Sequence, residues 1–253
     1  MNKKLKNKNA LITGGGGGIG QAIAFCFAQE GANIFICGRN IKPLNETAEK
    51  VRQFGVKVTT QTADVSDQKS VQNMINHALT EFKRIDILVN NAGTYTGHKF
   101  LDYTLDEFDQ TIKVNLYSVF LVTQAILPSM ILNNKGRIIN IASTAGLWGT
   151  KNQSAYNASK HAVLGLTRCL ALEMALHNIN VNAICPGIVE TGMANTLFEQ
   201  QSVILGTSVE DLKKFVKSQI PLQRFLSPHE VADLALYLAS DESIGMTGQS
   251  LSF

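Results

Sequence analysis

Cysteine is scarce in this chain. Its 253 residues hold four, Cys26, Cys37, Cys169 and Cys185, with no CxxC pair and no zinc spacing. That excludes a disulfide scaffold and a cysteine-built metal centre. The apolar neighbours of all four point to buried, reduced thiols. Histidine is almost as sparse, at five, with no HxxxH or HExxH pattern, so no metal is expected. Proline, also five, builds no Pro/Ser-rich linker that would divide the chain. Net charge is small, formally +3, too little to argue for a nucleic-acid partner. The one basic cluster, Lys3, Lys4, Lys6 and Lys8, reads as a solvated, frayed terminus. No apolar run reaches the ~18 residues of a membrane span. The basic start also lacks the apolar core of a signal peptide. The expectation is a soluble cytoplasmic protein with no membrane partner.

What is present is apolar residue in quantity, 45% of the chain. That composition excludes disorder, collagen and coiled coil. A chain of this length buries about 70–75% of the surface it exposes unfolded, enough for a core without staples. Short apolar runs at 9–13, 33–37, 57–63, 86–89, 137–141 and 179–184 read as strands. Helix-period segments at 18–30, 41–54, 67–82, 106–133, 154–176 and 228–240 alternate with them, and 249–253 reads as a last strand. This βα alternation predicts an α/β fold: a three-layer, doubly wound parallel sheet with helices on both faces. One domain over 1–253 is expected. The segment 190–227 breaks the alternation, has mixed polarity and reads as a substrate lid.

Two local patterns carry chemistry. Thr13-Gly14-Gly15-Gly16-Gly17-Gly18-Ile19-Gly20 lies between the first strand and first helix. Glycines there allow a sharp turn and close approach of a pyrophosphate to a helix N-terminus. No Gly-Lys-Ser/Thr follows, so a P-loop is excluded. The second strand ends Cys37-Gly38-Arg39-Asn40, with no carboxylate to repel a 2′-phosphate and an arginine to hold one. This points to NADP(H) rather than NAD(H); the alternative for Arg39 is a solvated loop cation. Further on, Tyr156 and Lys160 lie four apart on one helix face. A cation beside a phenol favours phenolate and draws its pKa toward working pH. Ser143 follows the fifth strand at the carboxyl edge of the sheet, where its hydroxyl can bond a carbonyl oxygen.

Together with Asn90-Asn91-Ala92-Gly93, Asn115 and Pro186-Gly187, these residues occur in an order and spacing that resembles the short-chain dehydrogenase/reductase family, in its compact single-domain form. The resemblance covers almost the whole chain. It implies a Rossmann-type sheet of about seven strands and an enzyme that interconverts a ketone or aldehyde and an alcohol by hydride transfer. It further implies that Tyr156 is the general acid/base, that Lys160 lowers its pKa and bonds the nicotinamide ribose, and that Ser143 orients substrate. Asn115 would hold a water linking Lys160 to solvent. Gly14, Gly18, Ile19, Gly20, Asn91 and Gly93 would line the cofactor groove, with Tyr156, Lys160, Pro186 and Gly187 also at the cofactor. Asp64 and Val65 would touch adenine, and Ile188 and Thr191 the carboxamide. Taken alone, Asp64 reads equally as a helix N-cap.

The stretch Leu222-Gln-Arg-Phe-Leu-Ser-Pro-His-Glu-Val-Ala resembles the 3-oxoacyl-carrier-protein reductases within the family. Asn134 and Leu172 stand where those members carry docking arginines, which favours a small free ketone, sugar, polyol or CoA-linked substrate. Tyr95 and His98, then Leu147, Trp148 and Gln153, then Met193 and Leu197 are expected to shape its pocket. Family members usually continue past the last strand with a short tail, whereas this chain stops at Phe253. The family also implies a homo-oligomer, tetramer or dimer, built on the helices near 106–133 and 154–176. An NAD(H)-dependent sugar, polyol or hydroxyacyl dehydrogenase is the nearest alternative. A catalytically idle dinucleotide sensor or scaffold is the alternative of a different class.

Overall fold

The computed structural model describes residues 3–253. Seven strands form one parallel sheet: β1 (Asn9–Thr13), β2 (Asn33–Gly38), β3 (Val58–Thr62), β4 (Ile87–Asn90), β5 (Gly136–Ile141), β6 (Ile179–Cys185) and β7 (Ser250–Ser252). Their spatial order is 3-2-1-4-5-6-7, all pairs parallel. The helices are α1 (Gly18–Gln29), α2 (Ile41–Arg52), α3 (Gln68–Phe82), α4 (Leu105–Ile112), α5 (Ser118–Leu132), α6 (Ser154–Met174), α7 (Gly192–Leu205), α8 (Val209–Gln219) and α9 (Pro228–Ala239). The doubly wound architecture expected from the alternation is the one observed.

Successive strand side chains point to opposite faces, so a strand covered on both sides must be apolar throughout. Ile12, Ile34, Ile36, Val89 and Ile139 enter one core with Ile23 and Phe27 of α1 and Val231 and Leu238 of α9. Their neighbours Leu11, Phe35, Leu88 and Ile138 enter the other, with Met74 and Ile75 of α3 and Val122, Ile126 and Met130 of α5. Each fully buried side chain of this kind contributes about 1.5–3 kcal/mol. A polar string crosses the sheet. Asn90 Nδ2 donates to Thr123 Oγ1 at 3.0 Å and to Asn140 Oδ1 at 2.9 Å, and Asn140 Nδ2 donates to Thr167 Oγ1 at 2.9 Å.

Three expectations change. The basic N-terminal run is not frayed: Leu5 is fully buried in the first core and Lys4 pairs with Glu242 at 3.0 Å. One apolar residue among the lysines is enough to dock it. Cys169 is exposed on α6, and Cys26 is half-buried, while Cys37 and Cys185 are buried. The helix Leu105–Leu132 has an 18-residue window of mean hydropathy 1.5, long and apolar enough to cross a membrane. Unbroken helix carries it past the polar residues that interrupt the sequence run, and 39% of that window is buried. Val122, Ile126 and Met130 place it against the sheet as a core helix.

The segment after β6 builds its own small apolar cluster. Phe198, Leu212 and Phe225 are buried together, with Ile188, Leu197, Val209, Val216 and Ile220 around them. Its base is closed where Val189 pairs with Leu226. The Arg224 guanidinium grips the Glu230 carboxylate of α9 with two bonds of 2.6 and 2.8 Å.

Candidate active site

Strand order reverses between β1 and β4. Loops leaving their carboxyl ends diverge there, and the crevice they leave is where open α/β sheets take ligands. The glycine turn forms one wall. Gly14 and Gly18 adopt left-handed backbone, φ 68° and 53°, which side chains resist. A Cβ at Gly20 would lie 2.3 Å from the Gly14 carbonyl oxygen and 2.5 Å from Asn91 Nδ2. Gly17, by contrast, meets nothing within 4 Å, so its place in a GxGxxG reading is not a packing requirement. Ile19 follows in the first turn of α1 and packs against the first core. The turn thus presents the α1 N-terminus closely, as a pyrophosphate needs.

Asn91 braces this turn across the crevice. Its Nδ2 donates to the Thr13 and Gly14 carbonyls at 2.9 and 3.2 Å. The Asn91 and Ala92 N–H groups both donate to Thr13 Oγ1 at 3.0 Å. Two loops are thereby tied at the sheet edge. Thr191 closes the far side: its Oγ1 accepts from the Ala194 N–H as N-cap of α7, and its Cγ2 lies 3.1 Å from where a Gly18 Cβ would be. The Pro186 carbonyl accepts from the Thr144 N–H at 3.0 Å, and the Gly187 N–H donates to the Phe253 carbonyl at 3.2 Å.

Arg39 is exposed at the tip of β2. Its charge acts on Asp64, although the larger pull on that carboxyl comes from the Ser66 hydroxyl and N–H, which hold it below the ordinary carboxylate range. The N-cap of α3 is Asp67, not Asp64: Asp67 Oδ1 accepts from Ser70 N–H at 2.7 Å. Val65 is buried in the second core.

Tyr156, half-buried in the first turn of α6, faces Ser143 at the end of β5. Burial pushes its phenol up to about 12, and the Ser143 hydroxyl works against that rise. Lys160 lies one turn on, its Nζ 5.7 Å from the Tyr156 ring centre and donating to the Ile141 carbonyl at 2.9 Å. Burial pulls the Lys160 ammonium down to about 8. Desolvation is the largest influence on the phenol, ahead of the Ser143 hydroxyl. The phenol is protonated at neutral pH, and Lys160 is still mostly charged.

Asn115 sits in one turn of π-helix, Lys113–Tyr117, joining α4 to α5. Such turns recur at functional sites. Its Oδ1 accepts from the Thr94 N–H at 2.8 Å, and its Nδ2 donates to the Thr94 carbonyl at 3.0 Å and Ser159 Oγ at 3.1 Å. Both amide hydrogens are engaged, so the side chain braces the β4 loop against α6. Gly93 passes close beside it, a Cβ there falling 3.3 Å from Asn115 Oδ1 and 3.8 Å from Met193 Cε.

Among the pocket residues, Tyr95 is brought to the site: its ring meets that of Tyr156 edge-on, centroids 5.4 Å apart. Leu147 is packed at the third apolar cluster, and Gln153 caps the start of α6. His98 instead pairs with Glu107 at 3.2 Å and with the Tyr103 ring. Trp148 is 55% exposed, and Leu197 and Ile188 turn into the apolar cluster of the segment after β6. Two residues of evident importance lack a sequence signal. Asn157 Nδ2 donates to the Ala145 and Trp148 carbonyls, and its Oδ1 accepts from Thr150, shaping the loop after Ser143. Gln201 reaches Tyr95 from the lid. Among the described residues no group of three His, Cys, Asp or Glu is placed to hold a metal.

A glycine-turned helix N-terminus at a parallel-sheet switch point, with Ser143, Tyr156 and Lys160 beside it, defines a nicotinamide dinucleotide oxidoreductase. The chain belongs to the short chain dehydrogenase family, whose family model matches residues 8–202. It is similar to the 3-oxoacyl-[acyl-carrier-protein] reductase FabG of Thermotoga maritima, 37% identical over 246 residues covering 97% of this chain and 96% of that protein. The oxidoreductase UcpA of Salmonella typhimurium is 42% identical over 246 residues, 97% and 92% of the two chains. Among solved structures, an actinorhodin polyketide ketoreductase variant with NADPH superposes at TM-score 0.94 and 35% identity, covering 100% and 97% of the chains. An NAD⁺-bound xylitol dehydrogenase superposes at 0.96 and 34%, covering 99% of each. The protein is thus an NAD(P)-dependent oxidoreductase of carbonyl and alcohol groups.

Proposed function

We propose that this protein is an NADP(H)-dependent ketoreductase for a small free carbonyl compound, with Tyr156 as the general acid. The observation that carries the reading is geometric: the Tyr156 phenol faces the Ser143 hydroxyl at the carboxyl edge of the sheet, with the Lys160 Nζ 5.7 Å from its ring centre. The cradle fits a dinucleotide, because the space a Cβ would fill at Gly20 is already closed by the Gly14 carbonyl and Asn91, leaving the α1 N-terminus open to a phosphate. Gly14, Gly18, Ile19, Gly20, Asn91, Gly93 and Thr191 would hold that cofactor, with Asp64 and Val65 serving its adenine and Pro186, Gly187 and the backbone of Ile188 its nicotinamide. When bound, the reduced nicotinamide supplies the hydride that reaches the carbonyl carbon. Ser143 donates a hydrogen bond to the carbonyl oxygen, and Tyr156 gives that oxygen its proton. Lys160, charged below about pH 8, lies near enough to stabilise the phenolate so formed. Asn115 fixes the Thr94 loop beneath.

The exposed Arg39 favours a 2′-phosphate, and use of a cofactor pool kept reduced favours the reductive direction. Leu172, 81% exposed where carrier-docking relatives have arginine, favours a free or CoA-linked substrate over a carrier protein. Exposed Leu105 on α4, Tyr117 in the π-helical turn and Phe120 on α5, with Leu176 beyond α6, support association into a dimer or tetramer. We place the enzyme in the cytoplasm, in keeping with the free thiols of its four cysteines. A panel of ketones, aldehydes and alcohols, followed by absorbance of the reduced nicotinamide with each dinucleotide, tests the reading. Arg39→Asp should lower the NADPH:NADH ratio of kcat/KM by at least about tenfold. An unchanged ratio removes Arg39 from cofactor choice.

A further inference from the structure

The lid has a small apolar cluster of its own. Phe198, Leu212 and Phe225 form its core, and the Val189–Leu226 pairing and the Arg224–Glu230 fork anchor its base. Its far side makes a separate set of contacts. Gln201, 6% exposed, donates from Nε2 to Tyr95 Oη at 2.9 Å and to the Asn152 carbonyl at 3.4 Å. Its Oε1 accepts from Asn152 Nδ2 at 3.3 Å. Next to it, Gln200 Oε1 accepts from the Gly97 N–H at 2.8 Å. Two adjacent glutamines thus join α7 to the loop after β4 and the loop before α6.

The first of those loops delivers Tyr95 to Tyr156. The two rings meet edge to face at 5.4 Å with planes 64° apart, a favourable aromatic geometry. Tyr95 is 5% exposed, and a buried hydroxyl needs a partner; Gln201 provides it. The close approach also demands Gly97, because a Cβ there would lie 2.5 Å from Tyr95 Oη and 2.8 Å from Gln201 Nε2.

We propose that Gln201 is a latch and Tyr95 a positioning residue: their bond locks the lid shut and fixes the orientation of the Tyr156 phenol. The inference rests on Tyr156 being the acid. Lid closure and acid alignment become one event, because a lid that opens releases Tyr95, and a released Tyr95 no longer buttresses Tyr156.

Gln201→Leu and Tyr95→Phe each remove the bond, the second while keeping the ring. Loss of one such bond is expected to lower kcat about three- to tenfold. The double variant should be no worse than the poorer single variant, because both break the same contact. The melting temperature and dinucleotide affinity should stay near wild type, and amides of residues 192–205 should exchange hydrogen about tenfold faster. Additive losses, wild-type kcat in Gln201→Leu, or unchanged exchange in 192–205 would each overturn the latch. If Tyr156→Phe keeps its turnover, the acid assignment falls instead; the exchange measurement still reports on the latch.

Discussion

Lys160 carries an ionisable group through one of the least hydrated places in the molecule, 5% exposed and bonded to a backbone carbonyl. Its pKa falls from 10.5 to about 8 on folding, so the fold disfavours its charged form, by on the order of 3 kcal/mol. The sign follows from proton binding. Between about pH 8 and 10.5 the unfolded chain binds the proton and the folded chain does not, so this group's contribution to stability rises with pH there. Against Lys160→Met, the wild type should gain relative stability between pH 8 and 10 in urea unfolding; a constant difference contradicts the burial assigned here. Such a cost is tolerated where a charge is needed for chemistry. The Tyr156/Lys160 pair was legible in sequence because four-residue spacing alone puts two side chains on one helix face. Gln201 and Asn157 were not, because their partners lie 106 and 12 residues away and only the folded chain brings them near. Desolvation of the Tyr156 phenol was likewise not legible, because it is a property of packing, not of spacing.

Elements were read well where periodicity speaks and poorly where it is silent. The β1–turn–α1 unit appeared with its bounds nearly intact, since the apolar run, the glycines and the helix period agree. Which glycines are required was not readable from a run of five. Gly20 is the most constrained: Gly20→Ala must push apart the Gly14 carbonyl and Asn91, at a cost of about 1–3 kcal/mol. Dinucleotide affinity measured by fluorescence titration should fall with it. An alanine variant of wild-type stability and affinity would show that the turn does not need this approach. The π-helical turn at Lys113–Tyr117 left no trace in the apolar pattern, because the eight residues of α4 before it are too few to set a phase against which the shift would show. It is nevertheless what carries Asn115 to Thr94 and Ser159.

At the scale of the whole molecule, the parallel sheet covered on both faces followed from the βα alternation, because parallel strands in one sheet need crossovers; the strand order 3-2-1-4-5-6-7 did not, because the same alternation fits other orders. The helix faces followed from the all-apolar strands. The lid was recognisable only as a break in that rhythm. Its own apolar cluster and its attachment through Gln201 depend on contacts between distant loops, which no local pattern encodes. The same holds for the docking of Leu5 among its lysines. The arrangement places one protonated phenol, a serine hydroxyl and a buried lysine beside a dinucleotide cradle, and the central claim is that the phenol supplies the proton. The most direct test is Tyr156→Phe, assayed for carbonyl reduction and, separately, for dinucleotide binding. Turnover should fall by at least about a hundredfold while the Kd stays within about threefold of wild type. Turnover equal to wild type with binding intact would contradict the account.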